Sequence, residues 1–197
     1  MMYTKGMVWM KGKKIALLLA GLALVSSTAL AANTPYGLLD SSDKDSYAKI
    51  MVYQANDMNY YRYINSTYHY ALDIPTEINK ADENEGGDGC YFQDLKNKVV
   101  VTTYAVKNQM NFSLDELYNM DIGMNGSPKL TTNNKTINHY TIAWTKDGKN
   151  FYKELYLLND TNTYVCFSVV YPTKMEKKYQ KYIFHMSQSF MPSGAVI

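Results

Sequence analysis

The side chains in this 197-residue chain that could do chemistry are few and scattered. There are three histidines, His69, His139 and His185, with none of the short spacings that place two imidazoles on one metal ion. An acidic stretch holds Asp82, Glu83, Glu85 and Asp88 and ends among Gly86, Gly87 and Gly89. Asp82, Asn84 and Gly86 imitate part of a calcium loop, but the twelfth position is Gln93, where a bidentate glutamate is wanted, so no metal is expected. No glycine-rich phosphate loop and no nucleophile elbow occurs. A hydrolase would have to assemble its site from dispersed groups such as Asp88, His139 and His185. No cofactor is expected.

Two other groups of residues stand out. Nineteen tyrosines are present, five of them close together at Tyr60, Tyr61, Tyr63, Tyr68 and Tyr70. Aromatic rows on a sheet can stack on sugars or on a partner protein, and rings with a polar tip also fill core edges. Cys90 and Cys166 are the only cysteines. In an exported chain an even count permits a bridge if the strands that carry them come within bonding geometry, and otherwise gives two small buried thiols.

The elements that must position these groups centre on 137–171. Tyr140, Ile142 and Trp144 alternate with Thr141, Ala143 and Thr145, the period of two of a half-buried strand. Asp147-Gly148 supplies a tight hairpin turn. The run 151–158 is large on both faces, as suits a strand inside a sheet, and Asn159 to Asn162 makes the next turn. A third run places Val165, Phe167, Val169 and Tyr171 on one side and is stopped by Pro172. Beyond it, Met175, Tyr179, Tyr182, Ile183, Met186 and Phe190 form one helical stripe, opposed by Lys174, Lys177, Lys178 and Lys181. That helix has one face to bury, against the sheet.

Upstream, Ser113-Leu114-Asp115-Glu116 is a capping box, with Phe112 and Leu117 placed as a hydrophobic staple, which predicts a helix from Leu114 to about Met120. Residues 90–94 and 99–106 form a hairpin about Lys96-Asn97. Residues 60–74 are extended, with a bulge or turn at Asn65-Ser66, and Pro75 ends them. Residues 79–89 read as a loop, and 129–134 as a short strand or loop. Tyr47, Ile50 or Met51, and Met58 can share a side of a helix over 46–58.

Lys11, Lys13 and Lys14 precede an apolar run from Ile15 to Val25 and an Ala29-Leu30-Ala31 cut site, the pattern of an export signal over 1–31. The run is too short for a permanent membrane span, and Met10 is a plausible true start. The signal carries Lys5, Lys11, Lys13 and Lys14 and no acids, so its loss leaves 16 basic against 18 acidic residues and moves the net charge from +2 to −2. Nucleic acid is therefore not an expected partner. A polar leader, 32–59 with its candidate helix, and one domain over 60–191 account for the rest.

Tyr63-Ile64-Asn65 through Tyr68-His69-Tyr70-Ala71-Leu72-Asp73-Ile74-Pro75, then Gly87-Asp88-Gly89-Cys90-Tyr91-Phe92, the Ser113-capped helix, and Tyr171-Pro172 leading to Ser187-Gln188-Ser189-Phe190 resemble the Mog1/PsbP-like superfamily. The resemblance covers roughly 60–190. It implies an α+β fold, an antiparallel sheet of about six to seven strands sandwiched by helices, and a non-catalytic accessory or binding role, with no active-site residues to carry over. The expectation is thus an exported, periplasmic or extracellular, non-enzymatic binding domain whose partner is a protein or an envelope component. Its rivals are an envelope hydrolase and a glycan-binding module using the tyrosine cluster.

Overall fold

The computed structural model describes residues 48–55, 58–84 and 86–195. The signal segment, the start at Met10 and the leader up to residue 47 lie outside the described residues. Ten strands follow in order: β1 (Ala48–Ala55), β2 (Met58–Asn65), β3 (Tyr70–Pro75), β4 (Lys80–Glu83), β5 (Gly89–Asp94), β6 (Val99–Lys107), β7 (Leu130–Lys135), β8 (His139–Lys146), β9 (Lys149–Leu158) and β10 (Thr163–Pro172). Helix α1 (Leu114–Met124) lies between β6 and β7, and α2 (Glu176–Ser189) follows β10. The fold is α+β: a seven-stranded antiparallel sheet ordered β4-β5-β6-β10-β9-β8-β7, and a three-stranded sheet ordered β1-β2-β3.

The meander β8-β9-β10 forms as its alternation requires. Asp147 and Gly148 both take positive φ, 51° and 72°, so the turn twists with its strands. Tyr140, Ile142 and Trp144 enter the buried cluster under α1, together with Leu155, Leu157, Tyr164 and Cys166. On the opposite face Val165, Phe167, Val169 and Tyr171 pack under α2. Tyr179, Tyr182, Ile183 and Met186 of α2 are buried against them, Ile183 and Met186 each contributing about 1.5–3 kcal/mol. The four lysines of the other stripe are exposed.

Helix α1 keeps its capping box, Ser113 N–H donating to Glu116 Oε2 (2.8 Å) and Glu116 N–H to Ser113 Oγ (3.3 Å). It runs on to Met124, past the expected end near Met120, because its Asp121 is held by the sheet beneath.

Two expectations are corrected. The segment 48–55, read as part of a helix, is strand β1, paired with β2 along its whole length from Ala48↔Asn65 to Ala55↔Met58. The folded unit accordingly begins before residue 60, and Met191 and Ala195 extend it past 191 by backbone bonds to Ala71 and His69. Residues 80–83, read as loop, are edge strand β4, whose polar sequence is ordered by pairing with β5. The expected packing of α2 on the large sheet holds at β10, and α2 also packs against β3 of the small sheet, where His185 and Asp73 meet.

Among the described residues no helix is long and apolar enough to cross a membrane.

Candidate functional site

Coverage of the large sheet is uneven, and the reason is dimensional. Seven strands spaced about 4.8 Å apart span roughly 29 Å, whereas a packed helix covers about 10 Å. On the α2 face, β2 and β3 cover the β5-β6 side through Tyr61 and Tyr63 against Phe92. Helix α2 and the residue that caps it cover β9 and β10, Tyr179 packing on Tyr171 and Phe190 on Phe167 and Tyr156. No residue of β7 or β8 belongs to the buried cluster of this face. A groove of about 360 Å³ remains between α2 and the bare strands.

Its floor follows from strand register. Thr145, Asn150 and Tyr171 form one row across β8, β9 and β10, and Ala143 faces Tyr152 in the next. The Ala143 methyl leaves the hollow that a larger residue would fill. Asn150 is 8% exposed. Its Oδ1 accepts from Thr145 Oγ1 at 2.7 Å, which fixes the amide, and its Nδ2 makes no hydrogen bond of ordinary geometry. The Tyr171 hydroxyl lies close by: burial pushes this phenol up, and the Asn150 amide acts in the opposite direction.

Behind the groove, Glu154 is buried and accepts from Tyr152 OH (2.8 Å) and Ser187 Oγ (2.7 Å), so Tyr152 and Ser187 line the groove with their hydroxyls already engaged. Burial first, then the Glu154 carboxylate, holds the Tyr152 phenol well above its ordinary value. Phe184 stands at the rim, 65% exposed, and Glu176 is the only charged side chain among the lining residues.

The residues singled out in the sequence lie elsewhere. Tyr60, Tyr61, Tyr63 and Tyr70 are fully buried and Tyr68 is half-buried, so no exposed aromatic strip exists there. Both faces of the small sheet are covered at this point: Tyr60 stacks on His185 of α2 at 3.9 Å between centroids, while Tyr61 donates to the Ile78 carbonyl. The tyrosine cluster is core, and the binding role assigned to it is corrected.

Cys90 and Cys166 are free. They lie on β5 and β10, the two neighbours of β6, and face opposite sides of the sheet, Cys90 toward the small sheet and Cys166 toward α1. Strands two apart put their Cα atoms roughly 10 Å from each other, beyond the reach of a disulfide, so the candidate bridge is ruled out.

Asp88, His139 and His185 do not converge. Asp88 accepts from Asn84 in the β4-β5 turn at one end of the sheet order (2.9 Å). His139 sits on β8 with Thr136, Thr141 and the Tyr156 ring. His185 Nε2 is 2.9 Å from Asp73, whose carboxylate also accepts from Arg62 Nε at 2.9 Å.

Sequence reasoning passed over Asn150, Ala143 and Phe184. Phe184 left a visible sign, an aromatic ring on the helix side that carries Lys177 and Lys181. Asn150 and Ala143 leave none, because their importance comes from what their neighbours do not cover.

No family model matches the chain. No curated protein matches it either. Among solved structures it is similar to the solution structure of cyanobacterial PsbP (CyanoP) from Synechocystis sp. PCC 6803, with 12% sequence identity and a TM-score of 0.49 over 78% of this chain and 98% of that one. The α+β assignment rests on the strand pairing and helix placement themselves.

Proposed function

We propose that the chain is a non-enzymatic binding domain, exported to the periplasm or cell exterior, whose contact site is the groove between α2 and strands β7 to β9. The observation that carries this reading is the groove itself, about 360 Å³ of open space floored by Ala143, Thr145 and Asn150 and rimmed by the exposed Phe184 ring. Separation of Asp88, His139 and His185 favours binding over hydrolysis, since general acid-base work needs its groups within hydrogen-bond reach of one substrate.

The test is ¹H–¹⁵N spectroscopy of the full chain against a fragment library of neutral, cationic and anionic polar compounds. Hits are expected to move the Asn150 side-chain amide and to lose affinity in Asn150→Ala. Hits confined to other surfaces, or turnover of a compound by the purified protein, would overturn the reading. Export is checked separately by sequencing the N-terminus of the secreted form, expected at Ala32.

A further inference from the structure

Resting on the groove as the contact site, we infer that its ligand is an uncharged saccharide. The floor argues first. Backbone groups of β8 are taken up by β7 on one side and β9 on the other, so an extended peptide cannot add to the floor as a strand. The open strand edge belongs to β7, whose Thr131 and Thr132 line the outer side of the groove, so a peptide adding as a strand would pair at that border and not over the floor.

Side-chain chemistry argues next. Thr132, Thr145 and Gln180 bring neutral hydroxyl and amide groups to the lining, a set that matches a ligand carrying many hydroxyl oxygens. With Glu176 as the sole charged lining residue, a phosphate or a uronic acid within the groove would meet a carboxylate, the exposed Lys177 and Lys181 on the Phe184 side of α2 not being among the lining residues. Phe184 supplies what a polar pocket alone would lack: a flat ring at the rim, largely exposed, for the C–H face of a pyranose. Both the polar donors and the ring are thus in place without rearrangement of the backbone.

The experiment titrates the full chain with maltotriose, cellotriose and N,N′,N″-triacetylchitotriose, following the Asn150 amide and the Ala143 methyl, with trigalacturonate as the acidic comparison. At least one neutral trisaccharide should half-saturate at about 1 mM or below, and trigalacturonate should bind more weakly. Phe184→Ala, a change at an exposed position that leaves the core intact, should weaken binding about three- to tenfold. Silence from all three neutral sugars, equal binding of trigalacturonate, or an unchanged affinity in Phe184→Ala overturns the inference. If the sugars are silent while non-saccharide fragments still move Asn150, the saccharide assignment falls and the groove reading stands.

Discussion

Lys153 Nζ lies 2.7 Å from the Asp121 carboxylate, and this ion pair joins the middle of β9 to the last turns of α1. Both side chains are nearly enclosed, with 12% and 5% exposure. Tyr140 OH donates to the same carboxylate, and Lys153 also donates to Tyr104 OH. Burial alone would lower the lysine's pKa, but the Asp121 carboxylate outweighs it and holds the ammonium charged.

Removing the acid should therefore cost more than removing the pair. Asp121→Ala leaves a buried ammonium uncompensated and should destabilise the fold by about 3–5 kcal/mol, whereas Asp121→Leu combined with Lys153→Met should recover most of that loss. Urea unfolding of the single and double variants measures the coupling. Additive costs would mean that the pair does not act as a unit.

The start of the same helix gives a pH dependence. Hydrogen bonds from Ser113, backbone first and hydroxyl second, hold Glu116 below its ordinary 4.5. A depressed carboxylate adds stability that is present above the unfolded pKa and lost as pH falls through the lowered folded value. Glu116→Gln should remove that dependence, read as the difference between its stability profile and that of the parent from neutral to acid pH. Ser113→Ala should cost about 1 kcal/mol at neutral pH. A Glu116→Gln profile parallel to the parent's would refute the assignment.

Thiol chemistry tests the separation of the two cysteines. Burial pushes the Cys166 thiol up to about 11 and the Cys90 thiol well above its ordinary value. Little thiolate exists at pH 8, and iodoacetamide should label neither residue in the native chain. In denaturant without reductant both should label. A denatured chain that resists alkylation until reduced would show a bridge and contradict the strand register.

Much of the large sheet was legible in the sequence because its signals are local. Asp147-Gly148 specifies a turn by backbone geometry alone, and the Tyr140, Ile142, Trp144 alternation names a buried face without reference to any other segment. Ser113 and Glu116 announce α1 in the same way. Segments ordered by a distant partner carry no such local sign. Strand β1 exists through its pairing with β2, and Lys80 to Glu83 through pairing with β5. The tyrosines of β2 and β3 carry the composition of a contact surface, and only the packing of the small sheet between α2 and β5 makes them core. The groove is least legible of all: it is a region of sheet left over once the two covering layers are placed.

The segment 191–195 has a consequence for β3. Ala71 exchanges two backbone hydrogen bonds with Met191, each 2.9 Å, Ala195 N–H donates to the His69 carbonyl, and Ala195 packs with Ile64 and Ala71. Met191 and Ala195 act as a selvedge, sealing the border of the small sheet that a neighbouring molecule could otherwise zip onto. A protein shortened after Phe190 would retain all ten strands and both helices, and its defect would show as self-association on a sizing column.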